Sequence, residues 1–396
     1  PGLAAQIAGG SGALVVWLAC AAVSIPLLLV FAIIGRAHPD AGGIAAVMKK
    51  AFGRMGYAPA TFLFLGAVSV GLPSIAIVGG NYASAAFGIS PFMAAALLIA
   101  GATSVNLLST GLANRMSAGL ASAVIIVLVV LAVLGWVATQ PSTSFVAGAE
   151  LQDISVFGTT FMMVFFAFTG WEVAANLAGE FRNPKRDFPL AMAMSFGLAV
   201  ILYLVLALIV AAAGPSAATE APFSVVLTAG YGELAGQLVS IIAIILIFAN
   251  LSAAVWAVSR MVYSAAQERL VVRRLANTSD GVPIPAVLAT ASVLKLVTLL
   301  ASAGTLRLEV LLSAAGLNFL LLYAGAAAAL TKLTSLRSLQ ALGVESVVVV
   351  GVLLYMCGLQ HLVYPAVLIG CGGWAAISLS RSETTGTQTA LTGEVS

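Results

Sequence analysis

The residues best placed to do chemistry stand together in Phe168-Thr169-Gly170-Trp171-Glu172. Apolar residues lead into this stretch, so its glycine and carboxylate fall near mid-depth in a hydrophobic span. An ionised carboxylate is costly there. A helix broken at Gly170 resolves the cost, because the freed backbone groups then line a cavity. Gly170 permits backbone geometry that other residues resist, and Phe168 and Trp171 flank it with flat surfaces. The N–H groups at a half-helix end can hold a carboxylate, and the carbonyls an ammonium group or a cation. A zwitterionic amino acid needs both. Glu172 could pair with a cationic group, carry a coupling proton or bond a neighbouring helix. The alternative is a glycine at a helix contact beside a buried, protonated Glu172, since small residues are common where membrane helices meet.

Other polar groups lie within apolar stretches. Asn250 and Ser252 could contribute oxygens to a substrate or ion site, or bond an adjacent backbone. Arg260, near the end of the same stretch, would either form an inner-gate ion pair or snorkel to the interface. Lys295 is mid-span and ranks below Glu172, because a peripheral helix would let it snorkel or pair. Asn318 and Tyr323 read as polar contacts between helices. His38 and His361 have no ligand-spaced partner, and Cys20, Cys357 and Cys371 fall in apolar spans as small hydrophobes. No metal, cofactor or catalytic residue is expected.

The elements that must position these groups follow from composition. Of 396 residues, 61% are hydrophobic and only 8% charged, with net charge +3. Soluble domains run near 25% charged, so the chain reads as an all-α protein threaded repeatedly through a bilayer. Its basic residues are scattered over short loops, which excludes a nucleic-acid surface. Spans of about 20 apolar residues are expected at 12–35, 58–81, 91–111, 117–139, 156–180, 188–213, 235–265, 285–304, 309–331, 342–359 and 361–379. Residues 1–10 read as the end of a further span. Residues 1–379 form one transmembrane domain, and 380–396 a polar tail without fixed structure.

Alternate loops carry Arg36, Lys49, Lys50 and Arg54; Arg115; Arg182, Lys185 and Arg186; Arg269, Arg273 and Arg274; Lys332 and Arg337; and Arg381. The opposite loops carry Glu150, Asp153, Glu220 and Glu233, with Arg307 the exception. The basic side, with the C-terminus, is therefore expected in the cytoplasm. There, Ile44, Val47, Met48, Ala51 and Met55 share one face of a short interfacial helix opposite Lys50 and Arg54, with Asp40 near its start. On the other side, Pro222 opens a second short helix suited to lie over the mouth as a lid.

Motifs for metalloproteases, serine hydrolases and phosphate-binding loops are missing. An enzyme or an ATP-driven pump within this chain is therefore unsupported.

Four ordered segments carry a resemblance. They are Gly35-Arg36-x-x-Pro39-x-Ala41-Gly42-Gly43; Phe168-x-Gly170-x-Glu172 with Glu180-Phe-Arg-Asn183-Pro184-Lys185-Arg186-Asp187-Phe188-Pro189; Ala221-Pro222-Phe223; and Ser259-Arg260-Met-Val-Tyr263 through Arg269, leading to Pro283-Ile284-Pro285. Over nearly its whole length the chain resembles the amino acid–polyamine–organocation superfamily, nearest its bacterial exporters of L-methionine and branched-chain amino acids. The resemblance implies an inverted repeat of five helices plus five, with two more at the end. The first and sixth helices would be broken around the substrate. Residues 156–180 would be the sixth helix and Pro1–Gly10 the outer half of the first, whose first half is missing from this chain. It also implies a bacterial inner membrane and secondary transport of neutral apolar amino acids by alternating access. Phe168 and Trp171 would line the side-chain pocket, Thr169 and Gly170 would bind the charged ends, and Glu172 would tune charge or protonation. Asn250 would join the substrate site, with Ser252 and Arg260 in gating or coupling. A coupling proton or a counter-substrate remains open. A fifth-helix lysine, which replaces sodium in some proton-coupled relatives, has no counterpart in Met116–Thr139. The rivals are a polyamine or cationic amino acid exchanger with Glu172 as counter-charge, and a transport-inactive membrane scaffold or sensor.

Overall fold

The computed structural model describes residues 1–37, 43–108, 110–141, 153–171, 181–279 and 281–393. It is all-α. Among the described residues there is no strand, and eight helices are long and apolar enough to cross a membrane.

The first helix, α1 (Gly2–Ala37), turns sharply at Gly9, whose φ of 72° and ψ of 165° lie outside helical space. Positive φ costs little only for glycine. Residues 2–8 are accordingly a short segment distinct from the span that follows. Next come α2 (Gly43–Phe52), α3 (Arg54–Phe87), α4 (Pro91–Leu108), α5 (Thr110–Thr139) and α6 (Ile154–Phe165). After the break described below, the chain continues through α7 (Pro184–Ala213), α8 (Pro222–Tyr231), α9 (Glu233–Gln267) and α10 (Ile284–Ser302). It ends in α11 (Leu308–Leu333), α12 (Arg337–Cys357) and α13 (Val363–Gly393). The expected spans recur as helices, except that the one at 156–180 is α-helical only to Phe165 and its residues 172–180 lie outside the described residues. The last one departs from expectation, since its backbone stays helical past residue 379 to Gly393. No proline interrupts Arg381–Gly393, and a helix already begun is extended at little cost.

Both short helices form where expected. In α2, Ile44, Val47 and Ala51 are buried while Lys49 and Lys50 are exposed. Its apolar face packs on α3 and α11. Lys49 reaches Glu268 at 2.9 Å, and Lys332 sits 5.0 Å above the Phe52 ring. Met55 leaves the apolar face, being exposed, because Gly53 ends α2 and α3 starts in a new direction. Asp40 and His38 lie outside the described residues. In α8, Phe223, Val226 and Leu227 are buried, so this helix is packed down rather than free in solvent.

The most enclosed spans are α1, α3 and α11. Helices in lipid gain from close backbone approach rather than from hydrophobic transfer, so their contacts favour small residues. A Cβ on Gly80 would lie 2.0 Å from the Pro91 carbonyl, and one on Gly66 would lie 2.2 Å from Leu368. On α11, a Cβ on Gly316 would lie 1.9 Å from the Met162 carbonyl of α6. This last contact presses α11 against the helix that leads into the break.

Gly316→Ala should therefore destabilise the fold by about 1–3 kcal/mol, read as a lowered melting temperature in detergent. Gly351→Ala, with nothing within 4 Å of the added carbon, should melt as the parent does.

Candidate functional site

α6 starts on Asp153, whose carboxylate accepts from the Ser155 N–H, and ends at Phe165. Phe166–Phe168 tighten into one 3₁₀ turn, Thr169 is extended, and Gly170 takes φ 112°. Helical geometry resumes at Trp171. The break expected at Gly170 is thus present, and the backbone conformation explains why glycine stands there.

Breaking a helix frees N–H and carbonyl groups that must find partners away from water. Two tyrosines meet this need from opposite sides. The Gly170 N–H donates to the Tyr323 hydroxyl of α11 at 3.0 Å. The Tyr203 hydroxyl of α7 donates to the Ala167 carbonyl at 3.1 Å. Thr169 contributes locally, its hydroxyl donating to the Phe166 carbonyl at 2.8 Å.

Aromatic packing fixes both tyrosines. Tyr323 meets Phe31 edge-on at 4.6 Å between centroids and borders Phe165 and Phe319. Tyr203 and Trp17 lie 5.4 Å apart, and both pack on Phe168, at 5.4 and 5.8 Å. Phe168 is only 3% exposed, so its ring anchors the break within this cluster. Trp171 continues the aromatic wall through Phe196 at 5.9 Å. On α3, a Cβ on Gly71 would lie 2.7 Å from the Phe166 ring, so the absence of a side chain there makes room for the turn.

A cavity of about 240 Å³ opens beside the turn. Phe166 and Ala167 of the break line it, together with Trp17, Tyr82, Glu220 and Phe223. At about 30 Å³ per water it has room for about eight, close to the nine or so heavy atoms of leucine or methionine. A wider cavity of about 580 Å³ shares Leu3, Glu220 and Leu308 with it and adds Gln6, Asn81, Arg307 and Glu309. Burial pushes the Glu220 carboxyl above its ordinary range; Glu309 pushes it further, and the Asn81 side chain pulls the other way.

The structure brings Phe168, Thr169, Gly170 and Trp171 together; Glu172 lies outside the described residues. It does not bring Asn250, Ser252 or Arg260 to the break. These stand on α9, whose principal neighbours are α3, α4, α8 and α10. Asn250 is exposed on the outer surface of its helix. Ser252 is buried and spends its hydroxyl on the Phe248 carbonyl, while its own carbonyl accepts from Asn106. Arg260 folds back over the Trp256 ring at 3.9 Å and donates to the Trp256 carbonyl. Lys295 faces outward from α10. Asn318 is fully buried on α11 and donates to the Ala314 carbonyl of its own helix, whereas Tyr323 reaches the break. Sequence reasoning missed Trp17 and Tyr203. Their signal was an amphipathic aromatic inside a span, whose polar tip needs a partner when buried.

A family model described as amino acid permease matches residues 2–382. The chain belongs to the amino acid permease family. It is 29% identical over 387 residues to an uncharacterised amino acid permease of Bacillus subtilis, covering 94% of this chain and 89% of the relative. It is 31% identical over 310 residues to the L-methionine/branched-chain amino acid exporter of Escherichia coli, covering 75% and 72%. A cadaverine/lysine antiporter of Escherichia coli is 28% identical over 235 residues, covering 57% and 52%. The permease is therefore an integral membrane transporter and not an enzyme.

The raised Glu220 pKa has a consequence for permease stability. Holding this carboxylate ionised costs the folded state, and the cost vanishes below the ordinary value of 4.5. Glu220→Gln should thus melt higher than the parent at about pH 8 and equally at about pH 4, in melts across that range.

Proposed function

We propose that this permease carries neutral, apolar amino acids through the bilayer by alternating access, binding them at the break between Phe165 and Trp171. The observation that carries this reading is the unwound backbone of Phe166–Gly170, propped by Tyr203 and Tyr323 beside a cavity the size of one amino acid. The cavity wall is mainly apolar, which suits a leucine- or methionine-like side chain better than an extended diamine. The exporter named above points the same way.

Trp17 supplies a further element. It is buried, and its Nε1–H has no acceptor among the described residues. A buried donor without a partner is costly, and a substrate carboxylate entering the cavity would satisfy it. Phe168 acts through its ring packing, holding Trp17 and Tyr203 in register. Glu172 is the proposed site of charge tuning or proton coupling. The basic end of the bundle, with the C-terminus, faces the cytoplasm of a bacterial inner membrane, in line with the positive-inside rule. Outward movement of substrate is the proposed direction.

Reconstituted protein should exchange labelled methionine or leucine across liposomes. Gly170→Leu should lower this flux about tenfold or more, because an added Cβ meets nothing but a residue other than glycine does not tolerate φ 112°. Undiminished flux in a folded Gly170→Leu protein would remove the break from the site. Competition by putrescine or arginine, but not by methionine, would replace the neutral substrate with a cationic one. Binding without flux would leave a sensor or scaffold.

Trp17→Phe preserves the ring packing and removes the donor. It should raise KM for methionine about fivefold or more and change the maximal flux less. Unchanged KM would exclude Trp17 Nε1 from carboxylate binding.

A further inference from the structure

α10 and α13 both pack on α3, and a groove of about 320 Å³ separates them. Leu65 and Ser69 of α3, Val262 of α9, Val293 and Leu294 of α10 and Leu368 of α13 line it. Its polar side chains are already satisfied. The Tyr364 hydroxyl donates to the Gly66 carbonyl at 3.0 Å and meets Ser69 at 3.2 Å, and Thr290 donates to the Ala286 carbonyl at 2.8 Å. The wall offered to a ligand is therefore apolar. Val293 is 44% exposed, so the groove opens outward from the bundle. At 1.5 Å per residue, Ala289 and Leu294 of its wall lie about 8 and 15 Å from the start of α10, on the basic side. The groove thus runs from the helix end to about mid-membrane, the depth of one leaflet in a core about 30 Å thick.

The basic end of the groove is lined by Leu275, which belongs to a 3₁₀ turn, Arg273–Ala276. The chain reaches this turn through a tight reversal. α9 ends at Gln267, Arg269 takes φ 61°, and the N–H groups of Arg269 and Leu270 donate to the Ala266 and Ala265 carbonyls. Glycine usually fills that left-handed position. Leu270 is buried with Ala58 of α3 and with Ala375 and Ala376 of α13. Leu270 and Leu275 therefore pin both ends of a short loop, and Arg273 and Arg274 stand exposed beside the mouth of the groove. Neither they nor the exposed Arg269 has an ion pair among the described residues, and the neighbouring Glu268 is held by Lys49.

We propose that this groove holds an acyl chain of an anionic phospholipid whose phosphate sits on Arg273 and Arg274. The apolar wall takes the chain at the depth where a leaflet supplies one. The guanidinium groups take the phosphate oxygens through paired N–H donors. Charge complementarity selects the headgroup, because a zwitterionic lipid brings its own cation to a mouth that is already basic. Bound there, the lipid fills the gap between α10 and α13 and ties both to the loop that follows α9.

Native mass spectrometry of the full chain, released from micelles doped equally with phosphatidylglycerol and phosphatidylcholine, tests the site. Each variant is first shown to elute as one folded species. The parent should retain phosphatidylglycerol about tenfold more than phosphatidylcholine. Replacing both arginines, Arg273→Ala with Arg274→Ala, should remove that preference. Arg337→Ala, at the exposed start of α12 and outside the groove, should keep it. Val293→Trp, which fills the groove from an exposed position, should lower phosphatidylglycerol retention about fivefold or more. Inorganic phosphate in excess should not displace the lipid. Equal retention of the two lipids by the parent overturns the proposal. So does a preference that survives loss of both arginines, an equal drop in Arg337→Ala, retention unchanged by Val293→Trp, or displacement by phosphate alone.

Discussion

A membrane interior offers no water to the backbone, and the organisation of this permease depends on how one broken helix meets that constraint. Between Phe165 and Trp171 the α-helical ladder stops, and the N–H of Gly170 and the carbonyl of Ala167 find tyrosine hydroxyls from two different helices. An unsatisfied polar group in hydrocarbon costs several kcal/mol. Each tyrosine thus ties the break to a separate element, α11 on one side and α7 on the other. Any movement that opens or closes the site must carry these contacts along or exchange them for others.

The tyrosines hold position because aromatic rings crowd them, and the rings fit because small residues let the helices approach. Gly71 makes room for Phe166, and Gly316 lets α11 press on α6 beside the Met162 carbonyl. Cys20 and Cys357 add weak donors to α6 carbonyls at Phe161 and Gly158. Dense packing therefore surrounds the break, and the space left over is the cavity between Trp17, Phe166 and the packed-down α8. Its polar content is small and located: the backbone of the break, the Trp17 indole N–H, the side chains of Tyr82 and Thr219, and the Glu220 carboxyl with its raised pKa.

Much of this was legible from residue order alone. Composition and span length announce an all-α membrane protein, because hydrocarbon demands long apolar runs. Gly170 beside a carboxylate announces a break, and proline at position 222 announces the start of α8. Partners across the bundle were less legible, because they depend on packing rather than on local pattern. Tyr203 and Trp17 lie in ordinary apolar spans, and only the meeting of α1, α7 and the turn gives their polar tips a role. Asn250 and Ser252 are two residues apart, so helical phase sends one to the outer surface and the other to the interior. That phase is set by what α9 packs against. Arg260 found an aromatic ring one turn away, a local solution invisible without rotamers. Lys295 was ambiguous for the same reason, since depth follows from sequence but facing does not.

The most direct test of the central claim is hydrogen–deuterium exchange across Phe165–Trp171, in membrane-reconstituted protein, with and without saturating methionine. A substrate seated on the unwound backbone must slow exchange there, and slow it less in α10 and α13, which lie away from the cavity. Protection confined to the break is the predicted result. Unchanged exchange at the break, under conditions where methionine demonstrably binds, would contradict the account and place the substrate elsewhere.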